Sequence, residues 1–307
     1  MSGAAGGPPW PGGAAWMNGR YGPVEEARIS VLDLGVTRSD GTYDVVHVWD
    51  GRFFRLDAHL DRFTASLAQL RLDPGHDRAQ IEDVLHGCVR HAGLRDAYVS
   101  MTCTRGRMPP GSRDLRTARP TFYCYAVPFI WLRTPEQQQA GANLWVSELV
   151  RIPPASVDPR VKNYHWLDLD LALLEAYDHG ADLVALRDLS GAITEGPGYN
   201  VFAWADGRWL TPAGGTLAGV TRRTAIELAR QLGQPVEEGQ LTADDLRRAA
   251  EVLVTSTAGG IMPVTAVDGK PVGDGVPGPL TTRLRDLYWA SHTDPRYTIP
   301  VRYDELV

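Results

Sequence analysis

The sequence predicts an α+β protein built from two domains. A chain of 307 residues is long enough for two domains with cores of their own. Several short segments alternate apolar and polar residues, which is typical of half-buried strands, and others repeat apolar residues every three to four positions, which is typical of helices. Strands and helices interleave along the chain, and this order favours the α+β class.

The composition excludes several functional classes. Hydrophobic residues make up 43% and charged residues 22% of the chain, as in ordinary globular enzymes. The net charge of −6, without any basic run, argues against a nucleic-acid partner. No apolar stretch reaches membrane-spanning length, so we expect no membrane association. Cys88, Cys103 and Cys124 form no CxxC pair, which indicates free thiols in a reducing compartment, and we expect a cytoplasmic protein.

The first domain is predicted to span residues 16–127. Residues 1–15, before it, are rich in Gly, Ala and Pro and lack both a basic start and an apolar segment, so we expect a disordered tail and no signal peptide. Ile29–Leu34 is predicted to form a strand. Tyr43–Trp49 forms another, and Asp50-Gly51 predicts a hairpin turn after it.

Two helices and two strands complete the first domain. An apolar stripe predicts a helix over 56–70, and a second one predicts a helix from Ile81 to near Gly93. Alternation over 99–104 indicates a half-buried strand, and 121–127 predicts another.

A linker is predicted over residues 128–140, and the second domain over 141–307. This domain is expected to contain short strands and helices over 164–177, 221–232, 241–250 and 280–289. Thr242 and Asp245 form a capping-box pattern at the third of these helices.

A single lysine, Lys162, is the first candidate for chemistry. It lies in the apolar and aromatic segment VKNYHW (161–166), and only one other lysine, Lys270, occurs in the chain. An ammonium group in such surroundings favours a depressed pKa and imine formation with a carbonyl. The alternative is a surface lysine whose stem packs on aromatic rings.

Lys162 and three later segments follow one another in a characteristic order: TEGPGYN (194–200), LAGVTR (217–222) and TSTAGG (255–260). This order and spacing resemble the class IV aminotransferases, pyridoxal-phosphate enzymes that include branched-chain, D-amino-acid and (R)-selective amine transaminases. The resemblance runs from about Ile29 to about Leu287. It implies a fold-type IV architecture with a small N-terminal α+β domain, a larger C-terminal domain with a β-barrel-like core and helices, and a homodimer with shared active sites.

The resemblance also implies the roles of individual residues. Lys162 would bind pyridoxal 5'-phosphate covalently and shuttle the proton, and Glu195 would keep the pyridine nitrogen protonated. The alternative for Glu195 is a turn acid that caps local amides. The remaining cofactor-binding residues implied by the resemblance are Arg62, Tyr199, Leu217, Val220, Thr221 and Thr257, of which Val220 and Thr221 would offer amides at a helix N-terminus. The sequence shows no metal-ligand spacing, and we interpret His59 as helix packing.

The predicted donor is an (R)-amine or a D-amino acid, with a 2-oxo acid such as pyruvate as the acceptor. The segment RSDGTYDVVH (38–47) resembles that of the (R)-amine transaminases. The implied substrate-binding residues are Arg38, Tyr43, His47, Tyr98, Trp166, Thr257 and Ala258. Because Arg38 could bind a carboxylate, a branched-chain L-amino acid aminotransferase remains an alternative, as do an aminodeoxychorismate-lyase-like enzyme and a cofactor-binding protein without turnover.

One departure from the family pattern concerns the cofactor's phenolic oxygen. Branched-chain enzymes commonly carry a tyrosine five residues beyond the lysine, where this chain has Leu167. Tyr164 and Trp166 lie nearby in the sequence but are displaced from that position. The sequence therefore leaves open which group makes this contact.

Overall fold

The structure, a computed structural model, describes residues 10–304, which form two compact units. The first unit contains residues 10–130, Val161–Tyr164 and 292–304, and the second contains Trp131–Arg160 and His165–Ser291. The segment around Lys162 and the C-terminal residues thus belong with the N-terminal part of the chain, unlike the contiguous 16–127 and 141–307 of the sequence expectation. Residues 1–9 of the expected tail lie outside the described residues, and a strand already begins at Ala14.

The helices are α1 (Leu34–Arg38), α2 (Leu56–Leu70), α3 (Arg78–Ala92), α4 (Pro135–Ala140), α5 (Leu167–Asp178), α6 (Val220–Gln231), α7 (Ala243–Arg248) and α8 (Pro279–Ala290). The strands are β1 (Ala14–Met17), β2 (Arg20–Pro23), β3 (Gly41–Trp49), β4 (Arg52–Phe54), β5 (Ala97–Arg107), β6 (Arg119–Pro128), β7 (Ala142–Val150), β8 (Leu183–Arg187), β9 (Glu195–Gly196), β10 (Tyr199–Ala205), β11 (Arg208–Pro212), β12 (Val236–Gly239), β13 (Glu251–Ser256), β14 (Gly260–Val267), β15 (Lys270–Pro271) and β16 (Thr298–Pro300).

The first unit is a seven-stranded sheet in the order β16-β4-β3-β5-β6-β1-β2. The side chains on one face of β3, β5 and β6 pack with α2 and α3 in a single core that includes Val46, Met101, Cys124, Leu60 and Leu85. Burial alternates along β6, because every second residue points into this core. The opposite face of the same three strands carries three of the predicted site residues, Tyr43, His47 and Tyr98.

The second unit is built on a nine-stranded sheet whose main path runs β12-β11-β10-β13-β14-β7-β8. Three of its pairings are parallel, namely β11 with β12, β14 with β7, and β7 with β8. The core of this unit includes Leu144, Leu183, Val201, Val254 and Met262, and α5 packs on β7 and β8. The two sheets with their helices agree with the α+β, fold-type IV expectation.

Most of the predicted elements are confirmed. Helices α2 and α3, the hairpin at Asp50-Gly51 and the capping box of Thr242 and Asp245 are all present. The fourth predicted helix of the second domain is also present, as α8. The helix predicted to begin at residue 164 begins at Leu167, because Asn163 pairs with Thr42 of β3 in the first unit.

The strand predicted over Ile29–Leu34 is wrong, because these residues form no strand and helix α1 begins at Leu34. The carboxylate of Asp33 accepts hydrogen bonds from the Gly35 amide and the Thr121 hydroxyl, both at 2.8 Å. The Asp33 amide also donates to the Ser30 carbonyl at 2.9 Å, so the chain turns here and enters α1 instead of continuing as a strand.

Across residues 10–304, no helix is both long enough and apolar enough to cross a membrane.

Candidate active site

One face of the first unit's sheet is aromatic and polar. In the strand register, Tyr43 of β3 pairs with Thr102 of β5, which pairs with Tyr123 of β6. His47 pairs in the same way with Tyr98. Directly paired residues point to the same side of a sheet, so these side chains share the face opposite α2 and α3.

Lys162 lies over this face. Its carbonyl accepts hydrogen bonds from the Tyr43 amide at 3.1 Å and the Thr42 hydroxyl at 2.7 Å, which tie the lysine segment to β3. The ammonium nitrogen lies 4.4 Å from the centre of the Tyr43 ring. Tyr164 stacks on the same ring at 4.3 Å, and its hydroxyl lies 3.1 Å from that of Thr102. The lysine is therefore positioned by two backbone anchors and an aromatic wall.

Arg62, on α2, is held by a buried carboxylate. Its Nε and Nη2 donate to the two oxygens of Asp44 at 2.7 and 2.8 Å, and His59 Nδ1 lies 2.8 Å from the same Asp44 carboxylate. The interpretation of His59 as packing is therefore incomplete, since this histidine is part of a polar cluster. Burial alone would raise the pKa of Asp44, yet the charge and hydrogen bonds of Arg62, together with the hydrogen bond from His59, outweigh it and hold that pKa well below its usual range.

His47 is buried beside a second histidine. Its Nε2 lies 2.7 Å from Nε2 of His292, and the His292 ring stacks on Phe54 at 3.9 Å. Burial, followed by the nearby His292, lowers the pKa of His47 strongly, so the ring is neutral at neutral pH. Tyr98 is half-buried next to it on the sheet, whereas Arg38, in the last turn of α1, is exposed.

Glu195, in the second unit, is a buried acid whose carboxylate accepts hydrogen bonds from three groups. It is 6% exposed, and its Oε2 accepts from the Leu217 amide at 2.9 Å and the Thr216 hydroxyl at 3.0 Å. Its Oε1 lies 3.2 Å from Arg151 Nε. Arg151 also donates twice to Asp168, at 3.0 and 2.8 Å. Because Arg151 is shared between two carboxylates, Glu195 lies in a cluster whose formal net charge is negative.

Helix α6 begins in a way that suits an anion. Its N-cap, Gly219, has no side chain to cap the first-turn amides, which include those of Val220 and Thr221. A Cβ added at Gly219 would lie 2.1 Å from Oδ1 of Asn200. Asn200 Nδ2 in turn donates to the Thr216 hydroxyl at 2.7 Å, so the turn before α6 is tightly packed against β10.

The remaining predicted site residues of the second unit are placed as follows. The hydroxyl of Tyr199 donates to the Val184 carbonyl and accepts from its amide, both at 2.8 Å, and its ring belongs to the core. Thr257 is half-buried in the turn between β13 and β14, where the Ala258 amide donates to Ser256 Oγ at 3.2 Å.

Trp166 caps α5 and is half-buried, whereas Leu167, at the position of the family tyrosine, is 72% exposed. Leu167 is an apolar side chain with no hydroxyl, so this position supplies no hydrogen bond to a phenolic oxygen.

Sequence reasoning missed five residues that hold the predicted ones in place. These are Asp44, Arg151, Asp168, Asn200 and Thr216. Asp44 and Asn200 lie inside the motifs that carry the resemblance, and an ionisable or amide side chain within an apolar strand was the available signal. Arg151 and Asp168 showed no such signal, because their relation to Glu195 arises only when β7, α5 and β9 come together.

Taken one unit at a time, the side chains and amides described above have the chemistry that pyridoxal 5'-phosphate requires. In the second unit, the first-turn amides of α6 have no side-chain cap and suit a phosphate. In the first unit, the guanidinium of Arg62 has the chemistry of a phosphate ligand. Glu195 is an acceptor for a protonated ring nitrogen. Within residues 10–304, no group of three or more His, Cys, Asp or Glu side chains could hold a metal ion.

Comparison with known proteins identifies similar aminotransferases. Residues 41–267 match the family "Amino-transferase class IV". The chain is 32% identical over 275 residues to a putative branched-chain-amino-acid aminotransferase of Methanocaldococcus jannaschii, covering 89% of this chain and 94% of the relative. It is 29% identical over 272 residues to a D-alanine aminotransferase of Bacillus licheniformis, covering 88% and 93%.

Solved structures are also similar. A branched-chain amino acid aminotransferase with pyridoxamine 5'-phosphate has a TM-score of 0.88 and 30% identity, over 95% of this chain and 100% of that one. The branched-chain aminotransferase of Thermoproteus uzoniensis with norvaline has a TM-score of 0.86 and 26% identity, over 94% and 99%. The fold and the site therefore define a pyridoxal-phosphate-dependent transaminase of fold type IV. The chain belongs to the class IV aminotransferases.

Proposed function

We propose that this aminotransferase moves an amino group from an (R)-amine or a D-amino acid to a 2-oxo acid such as pyruvate. The observation that carries the proposal is the character of the sheet face beside Lys162. The nine register-matched side chains of this face include four tyrosines and no arginine or lysine: Tyr43, Val45, His47, Tyr98, Ser100, Thr102, Tyr123, Tyr125 and Val127. Such a face suits the aryl or alkyl group of the donor, and a carboxylate, where one is present, would need a partner elsewhere, for which Arg38 is the candidate.

The chain's own residues divide the work of the reaction. Pyridoxal 5'-phosphate, when bound, supplies the electron sink for the carbanion that forms on the donor. Lys162 Nζ would be the base that accepts the proton from the donor carbon and holds it for return. Glu195 holds the proton on the ring nitrogen, and the negative charge of its cluster with Arg151 and Asp168 favours that proton.

Three groups are the proposed phosphate donors: Arg62 in the first unit and, in the second unit, the first-turn amides of α6 and the hydroxyl of Thr257. These contacts fix the cofactor so that bond breaking occurs in one orientation. Tyr43 and Tyr164 bound the space beside Lys162 and exclude water from it. Tyr98 and His47 lie further along the same aromatic and polar sheet face. In the second unit, Trp166 and Ala258 are proposed substrate-binding residues.

The second candidate is transamination of branched-chain L-amino acids. The M. jannaschii relative and the similar structure with pyridoxamine 5'-phosphate carry that name, and both are about as similar to this chain as the D-alanine aminotransferase is. An exposed Arg38 could bind the carboxylate of such a donor, or that of the acceptor, and turn outwards for an apolar amine.

A direct comparison of donors tests the proposal. Initial rates are measured with (R)-1-phenylethylamine, D-alanine and L-leucine, each with pyruvate, in wild type and in Arg38→Ala. We expect the first two donors to exceed L-leucine by about tenfold or more, a difference within the range that pocket contacts provide. A clear preference for L-leucine would replace this proposal with the branched-chain one.

In Arg38→Ala, we expect KM for pyruvate to rise, whereas the exposed control Arg20→Ala leaves it unchanged. An unchanged KM in Arg38→Ala would remove the role of Arg38 and leave the donor preference standing.

We also propose a cytoplasmic homodimer. The exposed apolar residues on one side of α5 support self-association, since such patches commonly mark interfaces: Leu167, Leu171, Leu174 and Tyr177. The three cysteines, all buried and free, agree with a reducing compartment. Sedimentation equilibrium tests the dimer, and a single species at 33.6 kDa would contradict it.

A further inference from the structure

Asp44 is a charged residue beside the hydrophobic core of the first unit. It lies on the helix-covered face of β3, with Val46 as its neighbour on that face, and it is 0% exposed. Burying a carboxylate is unfavourable unless it is paired and hydrogen-bonded, and a buried ion pair adds little net stability. The presence of Asp44 therefore calls for a role beyond holding the fold together.

The contacts of Asp44 fix the orientation of one side chain. Arg62 uses the Nε and Nη2 edge of its planar guanidinium for the two carboxylate oxygens, and two parallel hydrogen bonds prevent the guanidinium from rotating. The carboxylate itself is held by His59 Nδ1 and by the Val45 amide, which lie 2.8 Å from Oδ1. The Nη1 side of the guanidinium consequently points away from Asp44 in a fixed direction.

The charge state of this cluster at neutral pH is defined. Arg62 and the hydrogen bonds keep Asp44 ionised, as its lowered pKa indicates. Burial, together with the charges of Arg62 and Lys162, lowers the pKa of His59 although Asp44 opposes the shift, so His59 is neutral and donates through Nδ1. Arg62 and Asp44 cancel in formal charge. Arg62 would therefore bind an anion mainly through hydrogen bonds from its oriented N–H groups, and less through a net positive charge.

The same strand also fixes Lys162. Tyr43, the residue before Asp44, donates its amide to the Lys162 carbonyl and supports Nζ with its ring. Two consecutive residues of β3 thus set the positions of the lysine, whose segment pairs with the edge of β3, and of the arginine.

We propose that Asp44, held by His59, is the positioning residue that aims the guanidinium of Arg62 at the phosphate of the cofactor. This inference rests on the proposed role of Arg62 as a phosphate ligand. Asp44 itself touches neither cofactor nor substrate in this scheme, and it acts through Arg62.

The test compares two ligands that differ only in the phosphate. Apoprotein of the full chain is titrated with pyridoxal 5'-phosphate and with pyridoxal, and Kd is read from the absorbance of the bound aldehyde. Free pyridoxal closes in part to an internal hemiacetal, but that equilibrium is the same for every variant, so the change in the affinity ratio from wild type to variant reports the phosphate site. In Asp44→Asn we expect pyridoxal 5'-phosphate to bind about tenfold or more weakly, as for other supporting residues around a ligand, and pyridoxal to bind within twofold of wild type.

The alternative outcomes are distinct. If Asp44 acted only by repelling the phosphate, its replacement would tighten binding of pyridoxal 5'-phosphate, and the proposal would fall. Equal weakening of both ligands would indicate a structural role and would also overturn it. Asp33→Asn makes the same change at another buried aspartate of this unit, one that caps α1, and is expected to leave the affinity ratio unchanged.

Two further variants keep the test decisive. His59→Phe removes the donor to Asp44 but keeps an aromatic ring, and it is expected to weaken only the phosphorylated ligand, by severalfold; no change in the ratio there would overturn the role of His59. In an Arg62→Ala background, Asp44→Asn should have no additional effect, because the two act as one unit. If Arg62→Ala itself left the ratio unchanged, the phosphate role of Arg62 would fail, which is distinguishable from failure of Asp44 alone.

Discussion

Replacement of Asp168 by asparagine tests the cluster that surrounds Glu195. The Asp168 carboxylate accepts two hydrogen bonds from Arg151 and one each from the Ile152 and Leu169 amides, all between 2.8 and 3.0 Å. Asparagine keeps the shape but removes the charge and part of the acceptor capacity.

The expected effect on stability follows from these contacts. Breaking a buried ion pair costs about 3–5 kcal/mol, and because the side chains of Arg151 and Asp168 are 10% and 14% exposed we take the lower end, about 3 kcal/mol. For a domain of 150–250 residues this corresponds to a fall of roughly 6–12 °C in Tm.

The expected effect on the reaction has the same origin. Without Asp168, the charge of Arg151 acts on Glu195 alone, so Glu195 supports a protonated ring nitrogen less well. We expect kcat to fall about tenfold, equivalent to about 1.4 kcal/mol of transition-state stabilisation.

Thermal melting followed by near-UV circular dichroism, and initial rates at saturating substrate, measure the two effects. Asp170→Asn is the matched control, since Asp170 is an exposed acid in the same first turn of α5, and we expect its Tm to stay within about 2 °C of wild type. If Asp168→Asn behaved like this control in both assays, the assignment of Asp168 and Arg151 as supports of Glu195 would be refuted.

Four further results are expected. Lys162→Ala should show no cofactor adduct by mass spectrometry after borohydride reduction and should lose at least about a thousandfold in rate, and an adduct at another lysine would contradict the assignment. Glu195→Gln should still bind the cofactor but lose most of its rate, because an amide cannot hold the ring nitrogen protonated; equal rates would remove Glu195 from the mechanism. Gly219→Ala should weaken cofactor binding about tenfold, since its Cβ would lie 2.1 Å from an Asn200 oxygen, whereas Gly214→Ala, with open space around it, should not. The free energy of unfolding should fall as the pH drops below about 6.5, because the pKa of His47 is lowered in the folded state and the unfolded chain takes up the proton first. The contribution of His47 is up to about 1.4 kcal/mol per pH unit. His47→Phe should therefore flatten the pH profile of stability between about pH 6.5 and 5, and an unchanged slope would contradict this account.

The sequence by itself determined the family and the cofactor, and it singled out Lys162 as the predicted reactive lysine. The spacing of Lys162 and the three later motifs is a local property of the chain, and so are the helical stripes of α2 and α3, the hairpin at Asp50-Gly51 and the capping box at Thr242. The local pattern was wrong for Ile29–Leu34, where apolar residues predicted a strand. There the side chain of Asp33 caps helix α1, and the chain enters that helix.

Only the tertiary structure decided which side chains support the site. Strand β3 is buried on both faces for most of its length, so its sequence carries no alternation to show that Asp44 points to α2 while Tyr43 points to Lys162. Arg151, Asp168 and Glu195 lie on three separate segments. Their meeting depends on the strand register and on the packing of α5, which no local pattern encodes, because the free energy of a buried charge cluster is defined only when all its members are in place.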